Sequence, residues 1–143
     1  MRKNIGLYHG KRKDNGEWVE GYYVYDESGQ TTENPTAYIC HLNTHPCGYS
    51  LIPYEVDPET VGQYTGLTDK NGKKIFEDDV LDCTSGLYER CEVIYNEFCS
   101  AFQLMCADGF SDFFLCSINH KEMEVIGNIH DNPELLEEME TET

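Results

Sequence analysis

Four residues with the chemistry of metal ligands stand close together in the stretch YICHLNTHPCGY: Cys40, His41, His45 and Cys47. Thiolates and imidazoles are the donors of tetrahedral zinc sites. Their order is C-H-x3-H-x-C, whereas fingers and ribbons bring their ligands in separated pairs. Neighbours such as Cys40 and His41 would also point to opposite faces of a strand. The stretch is therefore read as a loop with incidental Cys and His, and no metal or other cofactor is expected.

The remaining reactive side chains offer as little. A cysteine nucleophile needs a base beside it and a lowered pKa, and none of the seven cysteines stands in a recognisable nucleophile signature. An odd number of thiols without paired spacing argues for reduced cysteines in a cytoplasm, packing as small hydrophobes. Glu77, Asp78 and Asp79 carry the oxygen ligands that Mg²⁺ takes. In a strand they would divide between two faces, so a solvated turn is expected, with Asp78 and Asp79 open to a basic partner. There is no G-x-G-x-x-G or G-x-x-x-x-G-K-[ST] run to cradle a phosphate. No catalytic residue is assigned, and the chain is not expected to be an enzyme.

Lys11, Arg12 and Lys13 form a basic patch, with Trp18 nearby, of the kind that could touch a phosphate backbone or stack on bases. Against it stands a net charge of −17. Met1 to Val24 holds five Lys/Arg against three Asp/Glu, so that end is at +2 and the remainder at −19. Such a field repels nucleic acid. It suits a basic protein partner, with plain solubility as the simplest account. Tyr22, Tyr23, Tyr25, Tyr38, Tyr49 and Tyr54 crowd the N-terminal half. Tyrosine is enriched at interfaces, self-association included, and half-buried strand tyrosines explain the density equally well.

The elements that position these residues read as strands. Ile5, Leu7 and Tyr8 suggest a first strand ending at Gly10, and Glu17 to Tyr25 alternates with β-rich residues. Ala37 to Leu42 and Tyr49 to Val56 follow, the second demoted to an edge or a bent strand by Pro53. Asp57-Pro58-Glu59-Thr60 has an N-cap followed by proline and predicts one helical turn. Asn71-Gly72, between Tyr64, Leu67 and Ile75, Phe76, predicts a hairpin with a type I′ turn. Further strands are expected at Cys91 to Tyr95, Ala101 to Cys106, Phe110 to Ile118 and Met123 to Ile126. Turns are read at 26–30, 84–86, Asn96-Glu97, 108–109 and Asn119-His120. Asn132-Pro133-Glu134 predicts a short acidic helix to about Glu138. No run approaches the roughly 18 apolar residues of a membrane span, and MRKNIGLYHGKRK lacks the apolar stretch of a secretory signal.

The hairpin stretch QYTGLTDKNGKKIFEDDV (Gln63 to Val80) resembles the signature of the YopX family, small proteins encoded by phages and prophages. Gly10 to Val24 and Glu124 to Glu138 resemble that family's two ends, in the same order, whereas Tyr25 to Glu55 shows no match. Asp78 stands where the family usually has glycine in an E-G-D-[IV] run. If the backbone there has positive φ, Asp is among the residues that tolerate it best. The resemblance implies a phage origin and a mostly β structure, and brings no established activity.

The expected fold is mainly β: an N-terminal β subdomain over 1–56, then an SH3-like small barrel with a short C-terminal helix over 57–143. The expected role is protein binding, to a basic host protein or to a second copy, with Lys11, Arg12, Lys13, Trp18, Asp78 and Asp79 as candidate contact residues. The alternative is a nucleic-acid-associated module using the basic patch, since SH3-like barrels do host that role.

Overall fold

Strands of this chain run until the sequence supplies turn chemistry, and the computed structural model, which describes residues 2–28, 35–83, 90–106 and 113–135, is mainly β. The chain divides into two units, Met1–Tyr64 and Thr65–Thr143. The turns read at 84–86 and 108–109, and part of that at 26–30, lie outside the described residues.

The first unit is an antiparallel sheet of β1 (Leu7–Lys11), β2 (Trp18–Asp26), β3 (Thr36–His45) and β4 (Gly48–Val56), ordered β4-β3-β2-β1. The start of β5 (Gly62–Thr68) adds to β1 through Tyr8↔Gln63 and His9↔Gly62. Pro53 lies on an edge strand, as its missing N–H requires. Asp57 caps a 3-10 turn, Pro58–Thr60, by accepting from the Glu59 amide. Thr60 then fastens the turn to β1, its Oγ1 accepting from the Lys11 amide at 2.9 Å. The sheet curls so far that Arg12 meets Val56 in an isolated antiparallel bridge. Ala37, Ile39 and Val56 fill the concave side with no exposed surface, packed by Tyr8, Val19 and Val61.

Glycine is required inside this curl at Gly21. A methyl group there would overlap the Cys40 carbonyl oxygen of β3, so only hydrogen at that position lets the two backbones approach as they do.

The second unit begins with a hairpin from the end of β5 into β6 (Lys74–Phe76). The expected type I′ turn is not what forms. Among the central residues only Gly72 has positive φ (81°), while Asn71 does not. The Gly72 amide donates to the Asp69 carbonyl and the Asp69 amide to the Lys73 carbonyl. This is a type I turn closed by a left-handed glycine, the usual three-residue hairpin loop. Asp69 imposes it, because its Oδ1 accepts from the Asn71 and Lys73 amides and so shapes the loop from within.

The remaining strands are β7 (Asp79–Asp82), β8 (Arg90–Asn96), β9 (Ala101–Cys106), β10 (Phe113–Phe114) and β11 (Glu124–Asn128). They form an antiparallel sheet in the order β10-β9-β8-β7-β11. Among the described residues its two ends are not joined, so the SH3-like small barrel expected here is not observed as a closed barrel. β10 ends at Phe114, where Leu115–Ser117 forms a 3-10 turn that buries Leu115, and residues 110–112 of the strand expected there lie outside the described residues. The strand expected through Ile118 therefore stops at Phe114. The core is Ile75, Leu81, Val93, Leu104, Leu115 and Met123 together with the thiols of Cys83, Cys91 and Cys106. Helical backbone begins at Glu134 and Leu135, behind Pro133, and its continuation lies outside the described residues. Among the described residues no helix is long and apolar enough to cross a membrane.

Candidate functional site

Glu77 and Asp78 form the tight turn that joins β6 to β7. Asp78 has φ 73°, the left-handed backbone that favours glycine and tolerates Asp. The conformation is fixed from both sides: the Asp78 amide donates to the Val93 carbonyl and its own carbonyl accepts from the Ile129 amide. Its side chain then reaches His130, whose Nε2 donates to Oδ2 at 3.0 Å. Glu92 lies within the same field. Burial, with repulsion from Asp78, holds its carboxyl above the usual range, and His130 opposes that shift.

Asp79 takes the opposite course. It is 4% exposed, and its Oδ2 accepts from the Phe76 amide at 2.8 Å. Burial pushes its carboxyl up to about 7, the Phe76 bond opposing the shift. The expected turn thus holds for Glu77 and Asp78 only, and both are half-buried rather than fully solvated. A carboxylate turned inward onto its own backbone is not placed to meet a partner, and this acidic triplet does not converge on one point.

The basic patch is internally paired. Arg12 donates from Nε and Nη2 to both carboxylate oxygens of Asp14, at 3.0 and 2.6 Å. Its guanidinium also lies 4.3 Å above the centre of the Tyr54 ring. Lys13 Nζ is 3.3 Å from Glu55. Trp18 stacks at a tilt on His9, centres 4.6 Å apart, and stands opposite Lys11 in the β1–β2 ladder. The four residues share one end of the first sheet, but two of their charges are already met by carboxylates.

The ligand-like run is not a loop. It is the distal half of β3 and the turn after it, Pro46-Cys47. Cys40 and His45 are five strand steps apart, about 17 Å at the usual rise per residue. His41 turns its Nδ1 to the Glu20 carbonyl at 3.3 Å. Among the described residues no three His, Cys, Asp or Glu side chains come together as a metal would require.

Two features went unread in the sequence. Asp69 is buried and takes three backbone amides, those of Asn71, Lys73 and Val125. Burial works against its charge, yet these bonds hold its carboxyl below the usual range. The D-x-N-G spacing is its only sequence trace. The other is that Val24, Leu42 and Leu51 of the first sheet are left in water with Tyr22 and Tyr49, two of the tyrosines singled out in the sequence.

A family model described as YopX protein matches residues 7–137. The chain belongs to the YopX family. The match runs through Tyr25 to Glu55, where the sequence motifs carried no resemblance. Among solved structures, this YopX chain is similar to the crystal structure of protein EF1440 from Enterococcus faecalis, at 25% identity and a TM-score of 0.55. The alignment covers 90% of this chain and 96% of that one. No curated protein matches it.

Proposed function

We propose that this YopX-family chain is a non-enzymatic module that acts through protein contacts in the cytoplasm of a bacterium carrying a phage or prophage. The observation that carries the reading is apolar side chains left in water on the less charged of two units whose net charges differ widely. Residues 1–64 hold five Lys/Arg and nine Asp/Glu, a net of −4, and residues 65–143 hold five against eighteen, a net of −13. The less charged unit exposes Tyr22, Tyr49, Leu42 and Leu51, and the acidic unit also exposes apolar side chains, Phe98, Phe113 and Phe114 among them. Aromatic and aliphatic side chains left in water together, away from charge, are the composition of an interface core. The acidic second unit supplies long-range attraction for a basic protein.

Affinity capture from bacterial lysate, with and without nuclease, tests this. Protein recovery that survives nuclease and weakens when exposed acidic residues of the second unit are neutralised supports it. Recovery that vanishes with nuclease overturns it in favour of a nucleic-acid role for Lys11, Arg12, Lys13 and Trp18.

A further inference from the structure

β2 pairs with β3 only from Asp26↔Thr36 to Tyr22↔Cys40. Beyond Cys40, β3 has β4 as its ladder partner, from His41↔Ile52 to His45↔Gly48. The two strands thus continue past the sheet as a two-stranded arm. Leu42, Tyr49 and Leu51 on it are 47%, 73% and 60% exposed. A two-stranded ribbon is marginally stable in water unless a further layer or strand covers it. This one also lacks the usual defence of an edge, which is charge. Between Glu33 and Glu55 the sequence contains no Asp, Glu, Lys or Arg.

The outer edge of β4 can be read residue by residue. The two-residue turn closes on His45 and Gly48, so hydrogen-bonded pairs fall at alternate positions, and the backbone carbonyls of Tyr49, Leu51, Pro53 and Glu55, with the N–H groups of all but Pro53, point outward. Pro53 has no N–H to offer, and the Glu55 carbonyl already accepts from the Lys13 amide at 3.1 Å. Tyr49 and Leu51 are left as two complete residues facing away from β3.

We propose that this edge is a two-fold interface between two copies of the chain, with β4 paired antiparallel to β4 of the second copy about Ser50. Tyr49 of each copy then lies opposite Leu51 of the other, exchanging both backbone bonds, and neither Pro53 falls within the pair. Leu42 and Leu51 are register partners and share a face, so an aliphatic patch from each copy continues across the new junction. A second copy fits better than a charged protein here. An uncharged arm offers a basic partner no steering, whereas two chains of net charge −17 can approach only where the charge is absent. Antiparallel pairing of an edge with itself is also the isologous contact that closes a dimer. The proposal rests on the protein-contact reading and names one partner for it.

Sedimentation of the full chain with reductant present should show a dimer. Leu51→Lys and Tyr49→Lys, both at exposed positions, should give a monomer with unchanged circular dichroism. Each change enters a two-fold interface twice, so a loss of about tenfold per occurrence means roughly a hundredfold in the dimer constant. Ser50→Cys in a Cys47→Ser background should crosslink to itself at the dyad with oxidised glutathione, since opposed strand positions there suit a disulfide. A monomeric wild type, or a dimer indifferent to both lysine changes, overturns the proposal. So does a monomer whose capture of another protein depends on Leu51, which would leave the protein-contact reading standing.

Discussion

The Asp78 carboxylate and the His130 imidazole meet at 3.0 Å, tying the β6–β7 turn to the residues that follow β11. The contact joins positions 52 apart in sequence and depends on a residue that is not glycine at a left-handed position. A glycine at this position would suit the same backbone but would have no side chain to reach an imidazole.

Substitutions at Asp78 separate these two roles. Asp78→Gly should lose the His130 bond while easing the backbone, a net cost of about 1 kcal/mol or less. Asp78→Val should lose both, at roughly 2–3 kcal/mol, since a β-branched residue resists positive φ. Urea unfolding of the three proteins gives the order; equal stability of the Val and Gly variants would remove the backbone argument.

Asp79 should make the folded chain less stable as pH rises through mild acid. Its folded carboxyl is raised to about 7, so between about pH 4 and pH 7 the native state holds a proton that the unfolded state has lost. Stability therefore falls with rising pH across that window, by up to about 1.4 kcal/mol per pH unit from this group. Asp79→Asn keeps an acceptor for the Phe76 amide and should flatten the slope. An unchanged slope in denaturation series from pH 4 to 7 would assign it to other groups.

Asp69 carries the opposite sign. Its carboxyl is depressed, so its contribution is present above the ordinary aspartate range and is lost as pH falls through the lowered value. Asp69→Ala leaves the Asn71, Lys73 and Val125 amides without their acceptor, and should cost roughly 3 kcal/mol or more. Amide exchange at those three positions is the direct readout, and all three should lose protection together.

Gly21→Ala should be among the most damaging changes of a single methyl group. The added carbon has no room against the Cys40 backbone, so β2 and β3 must part, at about 1–3 kcal/mol. Thermal unfolding should show it, while Gly66→Ala, with open space around the position, tests strain at positive φ alone.

Much of the framework was legible because local chemistry and tertiary structure agree. Asp57-Pro58 placed a capped turn correctly, Pro53 marked an edge, and the glycine-like role of Asp78 followed from its place in the motif. What escaped was decided at a distance or by a side chain acting on its neighbours. Asn71-Gly72 suggests one turn type until the Asp69 carboxylate claims the amides around it. Phe110 to Ile118 reads as a long strand until burial of Leu115 bends it away. β3 outran its predicted end because Asn43 and His45, on either side of Thr44, carry little β signal, and the register with β4 extends the strand through them. Of the candidate contact residues, spacing alone said nothing of Asp14 and Glu55 neutralising Arg12 and Lys13.

Sulfur in the second core makes the molecule its own reporter. Cys83, Cys91 and Cys106 are buried side by side, and contacts with Cys106 and Cys83, together with burial, push the Cys91 thiol far up. A thiol reagent can modify these three only when that core opens, whereas Cys47, Cys99 and Cys116 are exposed from the outset. With Cys40, half-buried in the first unit, replaced by serine, the slow phase of labelling times the opening of the second unit alone, with the fast phase as an internal standard in the same tube.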